Sequence, residues 1–190
     1  MEAIPRLDMV VDKQTLATEL KTTNLVTVTF AGSGGFSGPV NLTATVVDAA
    51  SVPIPGWTVT LNNATVNVPD GGSADAIATL TIPSENTALT GTIKIDATSS
   101  LGAKSTSTMV TASNQVSLEV TMNGGTCVYT AVMGTTRITV GTLVKMVNKG
   151  TDNIIFHSNG GNRGVPHQDT GGTGSPPNTS YDTTVTSAGA

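Results

Sequence analysis

Two imidazoles, His157 and His167, flank the stretch Ser158-Asn159-Gly160-Gly161-Asn162-Arg163-Gly164-Val165-Pro166, and the carboxylates of Asp152 and Asp169 lie just outside them. Two ring nitrogens with one or two carboxylate oxygens form a donor set for Cu(II), Zn(II) or Ni(II). The glycines and the proline allow the stretch to fold back and bring the imidazoles together. The spacing matches no tight metal motif, so the plainer alternative is two surface histidines without a metal. Cys127 is the single thiol, which excludes an internal disulfide. It reads as a small buried hydrophobe, with a reactive thiol or a bridge to another chain as the alternatives. Trp57, the single indole, reads as a plug between sheets, with a sugar-stacking platform as the alternative.

The chemistry of enzymes is missing. The chain has no Gly-x-Ser-x-Gly elbow, Walker loop, dinucleotide fingerprint or His-Glu-x-x-His. The glycines of 32–38 lack the Lys-Ser/Thr of a phosphate loop and read as a hairpin turn. Asp70-Gly71-Gly72-Ser73-Ala74-Asp75 lacks the oxygen-rich spacing of a calcium loop. Asp8, Asp12, Asp48, Asp96 and Asp182 fall singly, with no partner for acid–base work. No enzyme is expected. With a net charge of −4 and no run of Lys or Arg, a nucleic-acid footprint is absent. No stretch is apolar and long enough for a membrane helix, and the first residues lack the basic and apolar regions of a secretory leader. Asn41, Asn63 and Asn178 each begin an Asn-x-Ser/Thr triplet compatible with glycosylation.

The elements that must carry these residues are strands. The 34 threonines, 21 valines, 21 glycines and 9 prolines favour pleated strands and tight turns. Charged residues make up 12% and aromatics 3% of the chain, so a core must come from Val, Ile, Leu, Ala and Thr methyls. Apolar–polar alternation predicts strands over 25–30, 40–47, 57–61, 64–68, 76–82, 93–97, 106–110 and 116–122. Glycine or proline punctuates the turns at 32–35, 53–56, 70–72, 99–102 and 123–125. Residues 13–20 offer the one short helical pattern.

Seven or so short strands between about residues 6 and 112 are what an immunoglobulin-type sandwich needs. Phe36-Ser37-Gly38-Pro39-Val40-Asn41-Leu42-Thr43-Ala44, then Pro55-Gly56-Trp57-Thr58-Val59, then Val66-Asn67-Val68-Pro69-Asp70-Gly71-Gly72-Ser73 run ahead of a strand ending in Ile82-Pro83. This stretch resembles the immunoglobulin-like modules of bacterial and archaeal surface proteins, which carry no catalytic motif. The polar Ala112-Ser113-Asn114-Gln115 reads as a junction.

From residue 116 the chain resembles the cupredoxins, small Greek-key barrels that hold copper. Three pieces carry the resemblance: 138–149, with its Val-Gly-Thr turn ahead of a strand ending in Asn148-Lys149; Asn153-Ile154-Ile155-Phe156-His157; and Ser180-Tyr181-Asp182-Thr183-Thr184-Val185. The resemblance implies a copper site for which His157 is the matching ligand candidate. The pattern departs in two ways. His157 lies later than the family's first histidine, and the family's closing Cys/His segment is not found before Ala190, while Cys127 lies upstream of the ligand position. A barrel lacking its last strand would present an open sheet edge. Leu7, Met9 and Val11 lie on a segment able to fill such an edge, in this chain or in a neighbour.

The expectation is therefore an all-β chain of two β-sandwich or Greek-key barrel domains in tandem. An immunoglobulin-like sandwich would span 1–114, and a cupredoxin-like barrel, incomplete at its C-terminal end, 115–190. The expected role is a non-enzymatic extracytoplasmic structural, assembly or cell-surface protein that meets a protein partner or its own copies through sheet edges. The alternative is a copper-binding electron-transfer or carrier protein using His157 and His167. No cofactor other than copper is expected, and carbohydrate binding ranks below both.

Overall fold

A computed structural model describes residues 3–85, 88–123, 126–129, 138–157, 164–166, 168 and 173–187. Among them every regular element is a β-strand, as β-branched side chains favour. The chain forms two compact units. The first comprises Met1–Thr18, Thr22–Pro83 and Thr87–Ala112; the second comprises Glu19–Lys21, Ser84–Asn86 and Ser113–Ala190.

The first unit is built from β1 (Arg6–Val11), β2 (Thr15–Glu19), β3 (Thr23–Ser33), β4 (Gly38–Val47), β5 (Thr58–Leu61), β6 (Thr65–Val68), β7 (Ser73–Thr81), β8 (Thr90–Ser99) and β9 (Gly102–Ser113). One sheet has the order β1-β3-β7-β5 and the other β2-β9-β8-β4-β6. The first order and the β9-β8-β4 run match the A-B-E-D and G-F-C sheets of immunoglobulin domains. One edge differs: β6 pairs with β4, yet follows β5 in the chain instead of preceding it.

The sandwich core comes from alternate residues on the inner faces. Val26, Val28 and Phe30 of β3 and Ala76, Ala78 and Leu80 of β7 are buried from one sheet. Val40, Ile93, Ile95 and Val110 are buried from the other. Each large aliphatic contributes roughly 1.5–3 kcal/mol by leaving water. Gly91 packs closely: a Cβ there would lie 2.7 Å from Ile54 Cδ1 and 3.1 Å from the Trp57 ring, so the Ile54 side chain would have to shift.

Residues 13–20 hold a strand and not the helical turn their pattern offers. Leu16 and Leu20 have helical spacing, but Leu16 and Thr18 are half-buried and Leu20 buried, while Thr15 and Ala17 are exposed. Period two wins because β9 supplies backbone partners. Strand β9 also begins four residues earlier than the alternation predicts.

Among the described residues the second unit has a four-stranded sheet, ordered β11-β10-β12-β13, from β10 (Gln115–Asn123), β11 (Thr126–Tyr129), β12 (Leu143–Asn148) and β13 (Ser180–Thr184). β10 and β12 run parallel, and the other pairs antiparallel. Val120, Val144, Met146, Ile154, Phe156 and Val185 form its core, with Leu118, Met122 and Tyr181 against it. Phe156 and Tyr181 stack with ring centroids 6.2 Å apart.

Candidate functional site

A sheet ends in strands whose outer backbone groups need a partner, water or a cap. In the first unit the outer strands β1, β2, β5 and β6 have 4–6 residues, whereas the inner five have 9–12. Each inner strand next to an edge therefore has a length that its edge strand leaves uncovered.

Three of these lengths are capped where the edge strand stops. On β3, β1 stops at Val28. Beyond it Asp12 takes over: its N–H donates to Thr27 O at 2.9 Å, and its Oδ1 accepts the Thr27 N–H at 2.9 Å. Lys13 Nζ donates to Leu25 O at 2.8 Å. On β7, β5 stops at Ala78. Asn62 follows, with its N–H donating to Ile77 O at 3.0 Å and its Oδ1 accepting the Ile77 N–H at 2.8 Å. On β4, the Leu42 N–H donates to Ala64 O at 2.8 Å, and Val47 bridges to Pro53.

β9 is different. Its inner side is paired with β8 from Gly102 to Thr111. On its outer side the Met109 N–H donates to Gln14 O at 2.9 Å, and just past the end of β9 the Leu20 N–H donates to the O of Gln115, the first residue of β10, at 3.0 Å. Both chains advance together between these bonds (14 to 20, 109 to 115), so β2 runs parallel to β9 and covers only its C-terminal part. The Thr108 hydroxyl, fully buried, fixes the start of β2 by donating to Lys13 O at 2.6 Å. Since Met109 turns its N–H outward, so do Ser107, Ser105 and Ala103 by strand alternation. Among the described residues nothing bonds those outward groups. Ala103, Ser105 and Ser107 are exposed, and their small side chains leave the backbone open to approach. A shallow depression lined by Gln14, Thr92, Thr106, Ser107 and Met109 marks the notch where β2 begins.

Asp12 carries the one resolved electrostatic perturbation of this edge system. Burial opposes its ionisation, but bonds from Lys13 Nζ and the Thr27 N–H, with the Lys13 charge, outweigh that and hold the carboxyl below its ordinary value.

The residues singled out by type lie elsewhere. Leu7 and Val11 are buried in the first unit and Met9 is half-buried on β1. That strand pairs with β3 of its own chain, so it is not held in reserve to complete another sheet. Trp57 is 5% exposed, with no face for a sugar to stack on, and it packs beside Gly91 and Ile54. Cys127 lies on β11 opposite Met122. Asp152 and His157 are exposed; His167 and Asp169 lie outside the described residues. Among the described residues no three His, Cys, Asp or Glu side chains group as a metal site, so the described part of the set supplies one imidazole and one carboxylate.

A buried polar network supports the segment that carries His157. Asn148, wholly buried, donates from Nδ2 to Asp152 O at 2.7 Å and Ser175 O at 2.8 Å, and accepts the Gly150 N–H at 2.8 Å. Gln168 accepts the Phe156 N–H at 3.0 Å and donates to Ser175 Oγ at 2.7 Å, while its own N–H donates to Phe156 O at 3.0 Å. Phe156 and Gln168, the chain neighbours of His157 and His167, are thus bonded to each other.

The open stretch of β9 escaped the sequence reading because Ala103-Lys104-Ser105-Thr106-Ser107 has no apolar alternation. The available signal was the turn glycine Gly102, with a φ of 101°, and the Thr/Ser run that follows it.

No family model matches the chain, and no curated protein matches it. Solved structures that resemble it include domains 4 and 5 of the S-layer protein SbsC, at 19% identity and a TM-score of 0.40, covering 57% of this chain and 53% of that one. Titin immunoglobulin tandem domains match at 12% identity and a TM-score of 0.31, covering 97% and 83%. A family 123 glycoside hydrolase from Clostridium perfringens matches at 10% identity and a TM-score of 0.43, covering 60% and 30%. The chain spans about half the length of the S-layer structure. All three TM-scores lie under 0.5 and bear on neither family nor activity.

Proposed function

We propose that this chain is a non-enzymatic structural or assembly module of the cell surface or another extracytoplasmic site, joined to a protein partner by β-strand addition. The observation that carries the reading is the uncovered outer side of β9 at 102–107, which lacks the caps found on β3, β4 and β7 where their edge strands stop. Main-chain bonds supply affinity in strand addition, and small side chains at the edge let a partner approach. The low charge and high threonine content fit an exposed, sheet-built scaffold.

A capped peptide of alternating threonine and valine, supplied in excess, tests the edge. The expected result is slowed amide exchange at Ala103, Ser105 and Ser107, absent in S105P, whose proline removes an outward donor. Fast exchange at these three amides in the wild-type chain, both without and with the peptide, overturns the reading.

One observation favours a second reading, a metal site on His157 and His167: the mutual bonds of Phe156 and Gln168 join the two segments that carry them. The resemblance to cupredoxins names copper, and two imidazoles with a carboxylate would hold it. Copper titration separates the readings. Weak Cu(II) uptake, unchanged when both histidines are replaced by alanine, is expected of an assembly module. Tight stoichiometric uptake lost in H157A/H167A replaces that reading with a copper protein.

A further inference from the structure

We propose that the partner strand at β9 is the same stretch of a second copy, paired antiparallel about a two-fold axis at Ser105. This inference rests on the strand-addition reading and names its partner.

The argument begins with which backbone groups are available. Ala103, Ser105 and Ser107 direct N–H and C=O outward, while the next outward residue, Met109, already donates to Gln14 O. In an antiparallel ladder, outward-facing residues placed opposite each other exchange two bonds. With Ser105 opposite Ser105 of the second copy, Ala103 falls opposite Ser107 on both sides. All three outward residues are then used, and pairing stops before it meets Gln14. A two-fold interface of this kind is self-complementary and closes on itself.

Neighbouring registers fail for identifiable reasons. Centring on Lys104 sets two ammonium groups directly opposite, which destabilises a cross-strand pair. Centring on Thr106 or Ser107 brings Met109 into the ladder, where its N–H is already committed. Centring on Ala103 runs the ladder into the Ser99–Gly102 hairpin turn. In the Ser105 register Lys104 faces Thr106 of the second copy, and the outer-face side chains at the centre are alanine and serine.

The ends of the stretch agree. Leu101 is 46% and Met109 61% exposed, two of the large hydrophobics the first unit leaves in water. The same register brings Leu101 of one copy level with Met109 of the other, at both ends of the pairing. The notch lined by Gln14, Thr92, Thr106, Ser107 and Met109 lies there. Lys104 is the sole charge in the segment and carries no like-charged partner across the axis.

Disulfide trapping reads the register. In a C127S background, so that the native thiol forms no cross-links, S105C is expected to oxidise to a covalent dimer at least tenfold faster than A103C alone. A103C mixed with S107C is expected to give the mixed dimer. Directly opposed hydrogen-bonded residues have Cα atoms about 5.5 Å apart, within disulfide reach. Sedimentation at rising concentration is expected to show a dimer whose dissociation constant rises at least tenfold in S105P and in S107P, with thermal midpoints unchanged at concentrations where the wild type is monomeric. Two proline variants guard against one that misfolds. A wild-type chain that stays monomeric, or S105C dimerising no faster than A103C, overturns the self-pairing. Strand addition survives that result if the threonine–valine peptide still protects the three amides, and falls with it if the peptide does not.

Discussion

Asn148 and Asp12 show how single polar side chains hold segments that apolar packing does not reach. The Asn148 amide satisfies the carbonyls of Asp152 and Ser175 and the N–H of Gly150 at once. Asn148→Ala leaves buried backbone groups without partners and is expected to cost about 3 kcal/mol. Chemical denaturation checks this, with the loss confined to amides of the second unit in hydrogen exchange. Asp12 acts through its charge. Its carboxyl is held below the ordinary value, so its contribution is present above the unfolded pKa and lost as pH falls through the folded one. Asp12→Asn is expected to flatten the acid limb of stability against pH and to leave neutral-pH stability within a few tenths of a kcal/mol, because the pair is solvent-screened. Thermal melts from neutral pH down to about pH 3 measure it.

At the scale of elements, the edge strands are short and the strands behind them long, and loop or side-chain caps cover the first part of the difference on β3, β4 and β7. Removing the side-chain cap on β3 with D12A/K13A frees the Thr27 N–H and the Leu25 carbonyl and is expected to create a second associating edge. Light scattering would then show species larger than a dimer, and a double variant that stays dimeric at most argues that these side chains do not guard the edge. Much of this layout was legible in the sequence. Strands at 40–47, 57–61, 64–68 and 76–82 follow from alternation and turn glycines, and all fall on β4 to β7 within a few residues. β2 was not legible, because Leu16 and Leu20 fit a helix as well as a strand until β9 supplies the bonding partner. Nor was the open length of β9: Ala103, Ser105 and Ser107 carry no apolar signal, and availability is a property of what stops beside them. Trp57 was legible as a core plug, since an apolar strand flanked by Pro55-Gly56 points inward.

Across the whole molecule, the composition sets what kind of core is available. With few aromatics, the first unit relies on many medium-sized side chains meeting between two sheets, such as Val26, Ile93 and Ile95, each fully buried. Such a core tolerates little change in volume, and Gly91 beside Trp57 is a place where one added methyl would force Ile54 to move. Two units with separate cores are expected to lose structure in two steps. The parallel run of β2 beside β9 has a mechanical meaning. Tension drawing the start of β2 away from the end of β9 slides the two strands along one another. Their bonds are then loaded together in shear and not peeled one at a time, so the pairing that leaves half of β9 open also lets the first unit carry a pull.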